Sequence, residues 1–398
     1  LSEIARGLAG IAVTQTRLSH VDGEAGRLLI AGFAVEDLAP RARFEETLFL
    51  LWNDRLPSPV ELARLRAGLA ARRELPPATL AVLRAAARVG AEPMDALRMG
   101  AATLGLAEPA LHRTELLTRP ADESRQGALR LVAALPVIAA AYHRLCEGGE
   151  PVTPDPDLDH AASYLQMLFG EVPSAAAARA LTTYLNTTAD HGMNASTFSA
   201  RVIASTRSCL SSAIVGALGA LEGPLHGGAP GPALDMLFEM QRRAERSGRS
   251  LESVTEAWVR DQLAKGERIM GFGHRVYRAR DPRADVLGAA LEKLFPRSGE
   301  GDDADGALYR RARRVESVVL RVLAERKPGR VLQTNVEFYT ALLLHGLGIP
   351  KRLFTPTFAV ARVAGWTAHV LEQTFEDRLI RPTVVYAGAA GRTWPDAA

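Results

Sequence analysis

The sequence predicts a mainly α-helical protein built as two domains. Three observations lead there. Apolar residues recur at three- and four-residue spacings over most of the chain, only one short stretch looks strand-like, and 398 residues exceed one ordinary domain. Hydrophobic residues at 47% and charged residues at 23% are ordinary globular usage, so a large core is available without disulfide staples.

In chain order the strand-like stretch comes first. "RLSHVDGEAGRLLIAGFAVEDLA" carries an Asp-Gly turn at Asp22-Gly23 between two short runs, which predicts a small hairpin. Residues 44–144 then read as helix after helix, cut by prolines and glycines. "SPVELARL" supplies a Ser N-cap, a Pro in the first turn and a Glu three residues after the cap. "ALRLVAALPVIAAAYHRL" is the longest apolar run, but Arg130 and Pro136 mark it as a buried helix rather than a membrane span. "GGEPVTPDPDLDH" and "PRSGEGDDADG" are loops by composition, the second expected to be mobile. "RVIASTRSCLSSAIVGALGALEG" places Ala213, Gly216, Ala217 and Ala220 on one helix face, small enough for close contact within a subunit or between subunits. No internal repeat is present.

Charge and cysteine usage narrow the function class. Forty-eight basic against 45 acidic residues give a net charge of +3, with arginines mostly interspersed among acids, so no nucleic-acid partner is implied. A mild positive surplus suits a small anionic substrate. Cys146 and Cys209 sit in apolar helical contexts without a CxxC, and "LSEIARGLAG" has no basic-then-apolar leader pattern. A reduced, cytoplasmic setting is the expectation.

The chemistry-bearing residues stand out by context. Of nine histidines, His20, His112, His143, His160, His345 and His369 have no unusual neighbours and read as structural or surface residues. His226 in "GPLHGGAP" and His274 in "IMGFGHRVYRARDPRADVL" each sit beside glycines, which let backbone approach a ligand and free N–H groups for an anion or carbonyl. His191 lies in "TADHGMNASTF". Arg275, Arg278, Arg280 and Arg283 follow His274 directly, a placement that favours recognition of carboxylates or phosphates over a solvated charge run. Glu337 is the one acid in the apolar "LQTNVEFYTALLLHGLGIP"; if buried it should have a raised pKa and suit general acid or base work. The three histidines lack the short spacing of metal ligands, so no metal is expected, and no G-x-S-x-G marks a serine nucleophile.

These motifs, in this order, resemble the citrate synthase family, specifically its shorter bacterial and archaeal type, which includes 2-methylcitrate synthases. The similarity runs from "GLAGIAVTQTRLSHVDGEAGRLLIAGFAVEDLA" through "LFTPTFAVARVAGWTAHVLEQTFEDRLIRP", ending at Pro382. The resemblance implies a helical homodimer, with a large domain of residues 1–226 plus 342–398 and an inserted smaller helical domain of residues 227–341. Oxaloacetate would close the cleft between them, and the helical region 202–220 would lie at the dimer interface. It implies condensation of acetyl-CoA with oxaloacetate to give citrate and CoA, an acyl-transfer step of the tricarboxylic acid cycle. CoA would enter as co-substrate, with no tightly bound cofactor.

Position by position, the resemblance gives His226 the thioester carbonyl as it becomes an enol or enolate, and His274 the oxaloacetate carbonyl. His191 and Asn194 become further oxaloacetate contacts. Arg283, Arg362 and Arg381 become carboxylate ligands, Arg381 from the partner subunit, and Phe358 lies beside the reacting carbon. Met270, Gly271, Phe272 and Arg278 lie where CoA binds, and Glu337 takes the base position. The family has Asp there, in "NVD", where this chain has "NVE"; the family's "HADHE" appears here as Thr188-Ala189-Asp190-His191-Gly192. Two alternatives follow: a 2-methylcitrate synthase using propionyl-CoA, or a weakly active paralogue that binds oxaloacetate or CoA.

Overall fold

The computed structural model describes residues 4–8, 10–107, 121–228, 230–274, 276–295 and 304–394. Near the N-terminus β1 (Ser19–Asp22) and β2 (Arg27–Ile30) form an antiparallel hairpin, with Ser19 opposite Ile30 and Asp22 opposite Arg27. The connection is four residues rather than a tight Asp-Gly turn, and Asp22 Oδ1 closes it by accepting from Ala25 N at 2.9 Å. A two-residue β3 (Phe33–Ala34), not expected from sequence, adds to β2. Gly23 is required by a close approach, since a Cβ there would lie 2.4 Å from the Val276 carbonyl oxygen.

The rest is helical, with sixteen α-helices among the described residues. The first ten are α1 (Val35–Leu38), α2 (Phe44–Asn53), α3 (Pro59–Ala70), α4 (Pro77–Arg88), α5 (Pro93–Ala107), α6 (Ala121–Cys146), α7 (His160–Phe169), α8 (Ala175–Thr188), α9 (Ala195–Ser205) and α10 (Leu210–Glu222). They are followed by α11 (Pro230–Ser247), α12 (Leu251–Ala264), α13 (Pro282–Leu294), α14 (Ala304–Arg326), α15 (Val336–Gly346) and α16 (Phe354–Glu376). The Ser58 capping box opens α3 as its sequence predicts: Ser58 Oγ accepts from Glu61 N and Glu61 Oε2 from Ser58 N.

Two helices organise the core. α6 is long and apolar enough to cross a bilayer, yet it is mostly buried against α3, α4, α5, α7 and α16. α16 packs against α2, α6, α8, α9 and α10, burying Trp366, Arg362 and His369 almost completely. A second group, α11 to α15, packs mainly on itself through α12 on α14 and α13 on α15. It meets the first group where α13 and α15 touch α8, α13 touches α1, and α11 touches α16.

Two sequence expectations change here. The stretch 201–223 is not one helix: Arg207 at φ +62° breaks it, and Cys209 caps α10. Gly216 faces α9 of the same chain, where a Cβ would sit 2.2 Å from Ile203 Cδ1, and Ala213 and Ala217 are buried. Packing within the subunit therefore accounts for those three small residues. Of the expected mobile loop 296–306, residues 296–303 lie outside the described residues, and the stretch from Ala304 on is already helix α14.

Candidate active site

The site is assembled where the two helical groups meet, from four turns and one helix face. The first turn joins α8 to α9. Asn194 caps α9 by accepting from Thr197 N at 3.1 Å, and its amide is otherwise engaged with Gly192 O, Thr197 Oγ1 and Ser196 Oγ. Asn194 thus spends its polar atoms inside the turn that carries His191. Gly192 has φ +58°, a left-handed conformation that favours glycine. Thr188, at the family's histidine position, donates to Tyr184 O at 2.9 Å, while its own carbonyl accepts from Arg362 Nε at 2.7 Å. The backbone holds Arg362 whichever side chain stands at 188.

The second and third turns are built together. Gly271 and Gly273 have φ of +86° and +80°, and Phe272 forms an antiparallel bridge with Thr334. Gly273 N donates to Gln333 O at 2.7 Å and Asn335 N to Gly271 O at 3.0 Å. The His274 turn is thereby fastened to the residues that lead into α15 and Glu337. Glu316 of α14 secures the same junction, accepting from Thr334 Oγ1 at 2.6 Å and Tyr339 OH at 2.7 Å. Met270 and Phe272 are half-buried and Phe272 packs on Phe338; Arg278 is exposed, with its N–H donated to Gly23 O of the hairpin. Arg275 lies outside the described residues.

Asp281 ties three parts of the site with one buried carboxylate. It pairs with Arg283, Oδ1 to Nε at 3.0 Å and Oδ2 to Nη2 at 2.8 Å, caps α13 by accepting from Arg283 N, and accepts from Val336 N at the start of α15. Burial opposes the Arg283 charge, but Asp281 outweighs it and holds the guanidinium well above its ordinary pKa.

His274 Nδ1 accepts from the N–H groups of Val276 (3.0 Å) and Tyr277 (3.1 Å), so in the neutral ring the proton is on Nε2. Burial, then Arg283, pushes its pKa down to about 4. Around it the His191 ring centroid lies 5.8 Å away and the Tyr277 ring 4.8 Å away, with Tyr277 OH 3.0 Å from His191 Nε2 and Arg283 Nη2 3.4 Å from His274 Nε2. His191 is held well below its ordinary pKa by burial and by Arg283, Arg362, His274 and His226.

The fourth turn follows α10. Gly227 is needed because a Cβ would meet the Leu221 carbonyl oxygen at 2.5 Å, and the fold back places His226 Nε2 2.8 Å from Ser196 Oγ. Trp366 Nε1 donates to the same hydroxyl at 3.0 Å. From α16, Phe358 lies edge-on to His226 at 6.3 Å, and Arg362 lies over the Phe358 ring at 4.7 Å. Burial and Arg362 lower the His226 pKa to about 4; burial lowers that of Arg362 to about 10, with Asp190 opposing and Arg283 reinforcing.

Glu337 is the second residue of α15. Its Oε2 is buried and has no hydrogen-bond partner among the described residues. Burial raises its pKa and Arg283 opposes the rise. The structure therefore brings together His191, His226, His274, Arg283, Arg362 and Phe358, with Glu337 in electrostatic reach of Arg283. It leaves Arg381 apart, exposed in the extended segment after α16 beside a cavity of about 680 Å³ that Ile11, Val13 and Phe198 also line. Sequence reasoning missed Tyr277, Ser196, Trp366 and Glu316, which carry no motif of their own, and it singled out Arg283 without the Asp281 carboxylate that holds it.

A helical frame around three imidazoles of lowered pKa, two buried guanidinium groups and a carboxyl with one buried oxygen is the class of an enzyme acting on small carboxylates through carbonyl chemistry. The model of the citrate synthase C-terminal domain matches residues 7–383, and the chain belongs to the citrate synthase family. It is 42% identical to a citrate synthase of Haloferax volcanii, covering 97% of this chain and 96% of that one. It is 36% identical to a 2-methylcitrate synthase of Mycobacterium tuberculosis, covering 99% and 93%. A citrate synthase crystal structure from Thermotoga maritima superposes with TM-score 0.82 at 36% identity, covering 98% of each chain. A Thermoplasma acidophilum citrate synthase in ternary complex with carboxymethyl coenzyme A and oxaloacetate gives 0.86 at 29% identity, again over 98% of each chain.

Proposed function

We propose that this chain condenses acetyl-CoA with oxaloacetate and hydrolyses the resulting thioester, releasing citrate and CoA. The observation that carries the reading is the single cluster of His191, His226, His274, Arg283 and Arg362, with Glu337 in electrostatic reach of Arg283. Arg283 and Arg362 orient the oxaloacetate dianion. Glu337 removes a methyl proton from acetyl-CoA while a ring N–H of His226 stabilises the oxygen of the forming enolate. The new carbanion carbon attacks the oxaloacetate carbonyl, whose oxygen takes a proton from Nε2 of His274. Water then cleaves citryl-CoA at the thioester.

Met270, Gly271, Phe272 and Arg278 are the proposed CoA contacts, and His191 the further contact to oxaloacetate. Residues 227–341 are proposed to close on the remainder of the chain as a body, supported by the way α11 to α15 pack mainly on one another. Exposed Arg381 is proposed to complete the site of a second copy in a homodimer, supported by exposed Val384, Tyr386 and Trp394 in the same segment. A cytoplasmic location is part of the same proposal, and Cys146 and Cys209 are not joined in a disulfide.

A second reading, propionyl-CoA as the preferred donor, is favoured by the longer reach of glutamate at the base position. The test is CoA release from acetyl-, propionyl- and butyryl-CoA at constant oxaloacetate. Fastest release from acetyl-CoA supports the first reading, a propionyl-CoA preference the second, and no release from any of the three overturns both.

A further inference from the structure

Behind the His191 turn runs a buried polar chain that the proposed chemistry does not use. Asp190, fully buried, accepts from Ser19 Oγ at 2.5 Å and from His369 Nε2 at 3.2 Å. Ser19 Oγ also accepts from Gly192 N at 2.7 Å. One hydroxyl on the hairpin therefore holds both neighbours of His191. α16 is pressed onto the same turn, with Gly365 N donating to Ala189 O at 3.1 Å and no room for a Cβ against Asp190.

His369 is fully buried on α16. Its Nδ1 lies 3.0 Å from Nη1 of Arg201, and a guanidinium only donates, so Nδ1 accepts and the ring proton on Nε2 is aimed at Asp190. Arg201, itself fully buried on α9, is held by Glu372 at 2.6 Å, Gln373 at 3.0 Å and Glu376 at 3.4 Å. Burial would raise the Asp190 pKa; His369 and Arg362 hold it below the ordinary value. Asp190 is thus a buried negative charge behind the turn, opposing the burial of Arg362 as well.

We propose that His369 is a positioning residue for oxaloacetate binding: oriented by Arg201, it donates to Asp190 and so fixes the turn that aims His191 at the substrate. The proposal rests on His191 contacting oxaloacetate. A histidine that merely filled space would be replaced well by an apolar side chain, whereas a positioning histidine would not. Glutamine offers an acceptor to Arg201 and a donor to Asp190 in the same 1,3 relation as the two ring nitrogens.

The experiment measures oxaloacetate binding by calorimetry and the KM for each substrate in the wild type, His369→Leu, His369→Gln and Ser19→Ala. Loss of a hydrogen bond to a buried charge predicts that His369→Leu weakens oxaloacetate binding about 10-fold or more, with the acetyl-CoA KM changed by less than about two-fold. His369→Gln keeps oxaloacetate affinity within about three-fold of wild type, and Ser19→Ala raises the oxaloacetate KM alone. Equal behaviour of the Leu and Gln variants, or equal change in both KM values, overturns the proposal while wild-type turnover leaves the proposed function standing. Should His369→Leu not fold, an unchanged oxaloacetate KM in Ser19→Ala overturns it. Wild-type protein that neither binds oxaloacetate nor releases CoA overturns both.

Discussion

Glu337 stands in the first turn of α15, where backbone N–H groups favour a carboxylate, yet burial pulls its pKa the other way. A carboxyl so placed is a stronger base than one in water once ionised. Its longer side chain compared with the family's aspartate moves the oxygens by on the order of 1 Å, a displacement worth roughly 10²-fold in rate. Because Oε2 is already buried without a hydrogen-bond partner among the described residues, the site is shaped to glutamate: Glu337→Asp should lower kcat by roughly 10²-fold, and Glu337→Gln by more, with oxaloacetate affinity nearly unchanged. A faster Glu337→Asp enzyme would mark the native base as impaired and favour the weakly active paralogue. The imidazoles make a separate prediction. His226 and His274 fall from 6.5 to about 4 on folding, so below pH 6.5 the unfolded chain binds protons that the folded one does not. Their contribution to stability is complete above pH 6.5 and is lost progressively toward pH 4. Thermal melts across that window should show a falling Tm, with a shallower fall in His226→Gln or His274→Gln.

At the scale of elements, glycines decide how the turns reach the site. A Cβ at Gly227 would meet the Leu221 carbonyl oxygen at 2.5 Å, and one at Gly23 the Val276 carbonyl oxygen at 2.4 Å. Gly227→Ala should displace the His226 turn and Gly23→Ala the turn after His274, each costing about 1 to 3 kcal/mol of stability. A lower Tm together with a lower kcat/KM would be the readout. The glycines beside His226 and His274 were legible in the sequence as devices for close approach, and so were the Ser58 cap of α3 and the helical half of the chain. The break between α9 and α10 was not. Arg207 adopts φ +62° without being glycine, and a small-residue pattern continues across it, so spacing alone reads one helix where packing makes two. Asp281 was hidden for another reason. Its cap of α13 is local and readable, but its bond to Val336 N joins residues 55 apart in the chain. His369 looked ordinary because its partners Asp190 and Arg201 come from the α8–α9 region, far from α16 in sequence.

For the whole molecule, the site within one chain has two buried arginines, Arg283 and Arg362, while Arg381 stays outside it. If Arg381 completes the site of a second copy, mixed dimers of Arg381→Ala and His274→Ala chains contain one intact site each. Co-expression of the two variants should then restore activity to about a quarter of wild type, where neither alone is active. Absence of restoration in dimers verified by light scattering would assign Arg381 to its own chain or to no site. The helix-rich pattern and the chemistry-bearing turns fixed the family from sequence; which of those turns touch depended on α13 and α15 packing against α8, a contact between distant segments. The central claim is that Glu337, His226 and His274 surround one forming carbon–carbon bond. A crystal structure with oxaloacetate and carboxymethyl coenzyme A tests it directly. The expected result places the Glu337 carboxyl and both imidazoles within about 2.6–3.2 Å of the two ligands' facing ends. Ligands bound with Glu337 or either histidine turned into a separate cavity would contradict it.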